Sequence, residues 1–260
     1  MRILKERFSC QREGLTIRGT QYRPEGCADL PVAILCHGFM ANQGTVRRYA
    51  RFLAGRGFAA FCFDFCGGCV IGGRSDGATT DMSVLTEVRD LRAVIAHALS
   101  LPHTRPEGLT LLGCSQGGLV CALTAASLPQ QVSRLILLYP AFCIPDDARA
   151  GRMMLARFDP SCIPETFRCG PMKLGRCYAA DVMDMDLPEA LMPYGGDVLL
   201  LHGERDRIVP VSYSEGAIAA WKHRQNSGSR ILMHTHPRAG HGFSAAADRW
   251  AMAKIVDFLA

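Results

Sequence analysis

The chain has 260 residues, 48% of them hydrophobic, a mean hydropathy of +0.08 and a formal net charge of +5. That composition excludes a disordered or fibrous chain and leaves room for one α/β domain or two small ones. The positive charge forms no dense Lys/Arg tract, and no apolar run approaches the roughly 18 residues of a membrane span, so neither nucleic acid nor membrane is an expected partner.

Met1-Arg2-Ile3-Leu4-Lys5-Glu6-Arg7 lacks the apolar centre of a signal peptide, which implies a cytoplasmic setting. Two alternating segments, Ile3–Cys10 and Leu15–Tyr22, flank the turn residues Arg12-Glu13-Gly14 and read as an antiparallel hairpin. Continuous apolar runs follow at Val32–Cys36, Phe58–Phe63, Leu109–Leu112, Leu135–Tyr139, Val198–Leu201 and Ile231–Met233. Such runs suit parallel strands buried on both faces. Helical patterns lie between and after them, at Thr45–Ala54, Met82–Leu99, Gly117–Ser127, Tyr213–Arg224 and Ala245–Leu259. Within Met82–Leu99, the residues Val84, Val88, Leu91, Ile95 and Leu99 form one apolar stripe, and His97 falls off it, toward solvent. The alternation predicts a three-layer α/β sandwich with a mostly parallel sheet. From Phe142 to Pro188 the rhythm breaks. Five methionines and several prolines occupy a stretch with no clean strand or long helix, too long for an ordinary connection and suited to a lid.

Gly113-Cys114-Ser115-Gln116-Gly117 sits between an apolar strand and a helix. A serine on that sharp turn projects its Oγ above the sheet edge, beside the free N–H groups of the helix start. A serine hydroxyl needs a histidine base, and the histidine needs an acid. Asp206, in Gly203-Glu204-Arg205-Asp206, follows one late strand, and His241, in Gly240-His241-Gly242, follows the last. Asp206 is favoured because it lies deeper in its loop, with Glu204 and Asp197 as alternatives. Among the other histidines, His202 reads as structural, and His234 and His236 as surface residues beyond the last strand. An oxyanion needs two backbone donors. The Gln116 N–H is one. The Phe39 N–H, in Cys36-His37-Gly38-Phe39, is the other, with the His37 side chain tying that loop.

Twelve cysteines without a secretion signal read as small apolar residues, as at Cys36, Cys62 and Cys121, rather than as disulfides. Cys66-Gly67-Gly68-Cys69 is too little for zinc unless two of Cys162, Cys169 and Cys177 join it, so no metal is expected. Nothing calls for a cofactor.

Together these motifs, with Phe63-Asp64-Phe65, Ser75-Asp76-Gly77 and His202-Gly203 before Asp206 and Val209-Pro210, resemble the α/β-hydrolase superfamily over essentially the whole chain. Residues 1–260 then form one domain with 142–188 as an inserted lid. Within the superfamily the chain is similar to bacterial cinnamoyl/feruloyl esterases. That resemblance implies a serine esterase of small carboxylic esters, aryl or hydroxycinnamoyl among them. It also matches Asp147 and Tyr178 to lid positions that bind a phenolic hydroxyl. The loop after Phe65 departs from the group: Cys66 to Ser75 is longer and lacks a histidine, which predicts a reshaped pocket. A lipase-like or peptidase-like hydrolase, and a non-catalytic protein of the same fold, are the competing readings. A homodimer is compatible with all of them.

Overall fold

The computed structural model describes residues 1–224 and 228–260. The chain opens with β1 (Ile3–Arg12) and β2 (Leu15–Pro24), paired antiparallel. The two residues joining them, Glu13 and Gly14, both have positive φ, 50° and 82°, the backbone that matches a tight hairpin to strand twist. Next come β3 (Leu30–Cys36), α1 (Arg47–Ala54), β4 (Ala59–Asp64), α2 (Val84–Leu99), β5 (Thr104–Cys114), α3 (Gln116–Ser127) and β6 (Val132–Leu138). Seven short elements follow: α4 (Ile144–Arg149), β7 (Arg152–Met153), β8 (Ala156–Arg157), β9 (Thr166–Cys169), β10 (Met172–Gly175), α5 (Cys177–Met183) and α6 (Leu187–Leu191). The sheet resumes with β11 (Asp197–Gly203), α7 (Val211–Arg224), β12 (Ile231–His236) and α8 (Ala245–Leu259).

Eight strands form one sheet in the order β1-β2-β4-β3-β5-β6-β11-β12. From β4 to β12 every neighbouring pair is parallel, and β2 joins β4 antiparallel. The chain order reverses around β3 and β5, so their C-terminal ends flank a crevice where ligands commonly bind in such sheets. Each central strand feeds two cores. Val32, Ile34 and Cys36 pack toward α2 and α3, while Ala33 and Leu35 pack toward α1 and α8. Burying both faces requires the unbroken apolar runs seen in the sequence.

Helix α2 starts on a capping box, in which Ser83 Oγ accepts from the Thr86 N–H and Thr86 Oγ1 accepts from the Ser83 N–H. Its buried face holds Val84, Leu91, Ile95 and two acids, Glu87 and Asp90. His97 is not a solvent-facing residue: its ring stacks on Phe8 at 5.2 Å and is half-buried beneath the hairpin. His234 and His236 lie within β12 rather than beyond it, because this edge strand continues past its apolar part. The stretch after β6 is not irregular either. It consists of two two-stranded ribbons and three short helices, each too brief to show a sequence period. No helix among the described residues is long and apolar enough to cross a membrane.

Candidate active site

Strand β5 ends at Cys114, and α3 begins at Gln116. Ser115 between them has φ 53° and ψ −123°, a backbone that non-glycine residues rarely adopt. The turn is held by neighbours. Ser115 N–H donates to the Leu138 carbonyl at 3.0 Å, and the Ser115 carbonyl accepts from Gly118 and Ala141. Gly117 is required here, because a Cβ would lie 2.3 Å from the His37 carbonyl oxygen. Gly38 likewise lets the β3 loop approach the serine, since its Cβ would lie 3.0 Å from Ser115 Cβ.

Ser115, His241 and Asp206 form one hydrogen-bonded line. Ser115 Oγ lies 2.8 Å from His241 Nε2, and His241 Nδ1 lies 2.8 Å from Asp206 Oδ2. Tyr139 meets the His241 ring edge-on at 5.0 Å and restrains it. The Asp206 side chain is fully buried. Burial by itself would raise its pKa, but His202, His241 and the Val209 N–H all donate to it and hold it well below the usual carboxylate range. Oδ1 accepts from Ile208 and Val209, both at 2.9 Å. The acid therefore stays ionised and orients His241 with Nδ1–H toward itself, which leaves Nε2 to accept the hydrogen bond of Ser115 Oγ. Glu204 and Asp197, the alternative acids, are engaged elsewhere, with Thr235 and with Arg230.

His202 has a part that its strand-end position did not announce. Its Nε2 is 3.1 Å from Asp206 Oδ2 and 3.0 Å from the Val209 carbonyl, so that nitrogen carries the proton. Nδ1 accepts from Ser214 Oγ at 2.7 Å. The only sequence signal was a histidine four residues before the acid.

The Phe39 and Gln116 N–H groups have no acceptor among the described residues, while the neighbouring Ala41 and Gly118 N–H groups do. His37 braces the first of these loops as the sequence suggested. Its Nδ1–H donates to the Gly38 carbonyl at 2.8 Å, and Nε2 accepts the Phe65 N–H at 3.2 Å. The second donor is braced by a buried polar chain: Tyr178 O–H donates to Gln116 Oε1 at 2.6 Å, and Gln116 Nε2 donates to Glu87 Oε2 at 2.8 Å. The Tyr178 ring also stacks on Phe39 at 5.2 Å. The Tyr178 hydroxyl proton is thus committed to Gln116. Glu87 escaped the sequence reading because it is not one of the five apolar residues of the α2 stripe. Its phase in the stripe was the available signal.

A cavity of about 470 Å³ opens over Ser115 and His241. Phe39, Ile144, Met153 and Tyr178 give it apolar walls, and Asp147 lies among them. A larger groove of about 650 Å³ lies on the outer side of α4 and does not reach Ser115. Contrary to the sequence expectation, no residue from 66 to 75 lines the cavity over Ser115. The loop is drawn toward β2 and β4 instead. Arg18 N–H donates to Ser75 Oγ, Arg74 N–H to Asp64 Oδ2, and Cys66 N–H to Asp90 Oδ2. It touches the Phe39 loop through a bridge between Met40 and Cys69 and through Asn42 Nδ2, which donates to the Ile71 carbonyl at 3.2 Å. Cys66 and Cys69 do not converge: Cys66 packs by Asp90, and Cys69 Sγ lies 3.9 Å from His37 Nε2. Burial pushes the Cys69 thiol up to about 12. His37, Asp64 and Cys69 are the one metal-capable trio among the described residues, but His37 Nε2 and both Asp64 oxygens already accept protein N–H donors.

A family model described as serine aminopeptidase, S33, matches residues 30–168. The chain belongs to that family. It is a serine hydrolase of the α/β-hydrolase fold. Est1E from Butyrivibrio proteoclasticus, solved with ferulic acid bound, is similar to this S33 chain with a TM-score of 0.86 at 24% identity, over 97% of this chain and 99% of that one. DcsB, solved with its substrate analogue, matches with a TM-score of 0.73 at 19% identity, covering 98% of each chain. An esterase of Pyrococcus furiosus matches with a TM-score of 0.72 at 17% identity, over 99% of this chain and 91% of that one. No curated protein sequence matches this one significantly.

Proposed function

We propose that this hydrolase is a carboxylesterase that cleaves small carboxylic esters, aryl or hydroxycinnamoyl esters among them, through an acyl-enzyme on Ser115. The observation that carries this reading is the Ser115–His241–Asp206 line beside two unpartnered N–H groups. His241 Nε2 takes the Ser115 proton as Oγ attacks the ester carbonyl carbon. The carbonyl oxygen becomes an oxyanion between the Phe39 and Gln116 N–H groups. The tetrahedral intermediate collapses, the C–O bond to the alcohol breaks, and His241 returns the proton to the departing oxygen. Water, deprotonated by the same nitrogen, then attacks the acyl-enzyme and frees the acid.

Residues 142–188 act in this reading as the lid that covers the acyl-transfer site. Asp147 and Tyr178 project from it into the cavity and contact the substrate's aromatic part. The ferulic acid bound to Est1E, a protein of closely similar fold, supports an aromatic acyl group. A lipase-like reading fits less well, because Asp147, Arg152 and Arg157 interrupt the apolar cover.

The test is hydrolysis of p-nitrophenyl acetate and methyl ferulate by the unmodified protein and by Ser115→Ala. The unmodified protein should cleave both, and the variant should lose activity by a factor on the order of 10⁵ while keeping its fold. Near-normal turnover by folded Ser115→Ala would remove Ser115 from the mechanism. Cleavage of p-nitrophenyl acetate without methyl ferulate would leave a general esterase.

A further inference from the structure

The cavity over Ser115 is apolar below and cationic at its mouth. Arg152, Arg157 and Arg207 all line it, against a single carboxylate, Asp147. Two of these arginines come from the β7–β8 ribbon, and the third follows Asp206 in the loop after β11. All three are exposed, and none forms an ion pair within 4 Å among the described residues. Among the described residues the Arg157 guanidinium donates only to the Met154 and Ala156 carbonyls, which position it without neutralising it. Arg207 has no hydrogen-bond partner among the described residues. Arg152 stands near Asp147, whose carboxyl is raised by burial before the arginines lower it, so the acid offsets only part of the cationic charge.

We infer that the preferred substrate carries a carboxylate remote from its ester bond, held at the cavity mouth by Arg152 and Arg207. This rests on the esterase reading of Ser115 and narrows it. A guanidinium presents a planar fork of N–H donors that matches a carboxylate, and the half-enclosed apolar setting strengthens the contact. The same three cations repel an ammonium group, such as the N-terminus of a peptide, so an anionic ester fits this mouth better than an amine-bearing amide. Arg157, already tied to its own ribbon, contributes long-range attraction rather than a direct contact.

Two matched substrate pairs test the inference. p-Nitrophenyl hydrogen glutarate against p-nitrophenyl methyl glutarate places the charge on the acyl side. 4-Acetoxyphenylacetate against its methyl ester places it on the alcohol side, with a methylene insulating the phenol. In at least one pair kcat/KM should favour the charged member by about tenfold, the equivalent of ~1.4 kcal/mol. Arg152→Gln and Arg207→Gln should each cut that charged-to-neutral ratio by about fivefold, and about 0.5 M salt should shrink it in the unmodified protein. Preference for the neutral member in both pairs, or a ratio that neither arginine variant moves, overturns the inference. Should no ester be cleaved at all, it is the Ser115 reading that fails. Calorimetric binding of monomethyl glutarate against dimethyl glutarate to Ser115→Ala still decides the arginine assignment, since it needs no turnover.

Discussion

The Tyr178 hydroxyl donates to Gln116 Oε1 at 2.6 Å, joining a short helix of the 142–188 segment to the first residue after Ser115. The Tyr178 ring stacks on Phe39, the other residue with an unpartnered N–H. One side chain therefore touches both proposed oxyanion donors, and its removal should be felt by every ester. We predict that Tyr178→Phe lowers kcat by about tenfold on p-nitrophenyl acetate as well as on methyl ferulate, with KM nearly unchanged, the cost of losing one buried hydrogen bond. A loss confined to hydroxycinnamoyl esters, or carried by KM, would instead give the Tyr178 hydroxyl, and not only its ring, to the substrate.

Asp147 lines the same cavity with its carboxyl half-buried. No other carboxylate among the described residues lines that cavity, and in the proposed function it accepts a phenolic O–H. Asp147→Ala should lower kcat/KM for methyl ferulate about tenfold and spare p-nitrophenyl acetate, because a lost polar partner costs ~1–3 kcal/mol only where the substrate supplies the other half. Parallel losses on both substrates would place Asp147 in support of the fold.

His202 shares the Asp206 carboxylate with His241. His202→Gln should reduce kcat by about tenfold, far less than the roughly 10⁴ expected for Asp206→Asn, which leaves His241 in the wrong tautomer. The acid limb of the pH–rate profile should also move, since Asp206 loses one of the donors that keep it ionised. An unchanged profile with only a lower melting temperature would assign His202 to stability alone.

Glu87 is fully buried against Gln116, and burial, reinforced by Asp90, raises its pKa well above 4.5, although the Gln116 hydrogen bond opposes that rise. Unfolded, Glu87 releases its proton near 4.5; folded, it keeps the proton to higher pH. Between those values the folded state holds the extra proton, so this group's contribution to stability falls as pH rises. Glu87→Gln preserves the shape and removes the titration. Its melting temperature relative to the unmodified protein should therefore climb steadily from pH 4 to pH 8. Two melting curves that stay parallel across that range would show that Glu87 does not titrate in the folded protein.

The sequence by itself determined the strand–helix order, the hairpin, the serine turn and the loops that carry Asp206 and His241. These are local facts: a buried parallel strand must be a continuous apolar run, and the turn at Ser115 admits little but glycine at Gly117. It was also enough to choose Asp206 over Glu204 and Asp197, because position within a loop after a strand is itself local. The tertiary structure alone decided what depends on meetings between distant segments. His202 donates to Asp206 because β11 and its loop fold back on themselves, and Glu87 reaches Gln116 because α2 packs on α3. The loop from Cys66 to Ser75 turned from the cavity because Arg18, Asp64 and Asp90 supply its hydrogen bonds, and no pattern within the loop encodes those partners. Arg152 and Arg207 lie 55 residues apart in the chain and line one cavity only because the fold brings the ribbon beside the loop after β11. Charge at a site is a property of the space between residues, and periodicity reports only what lies along the chain.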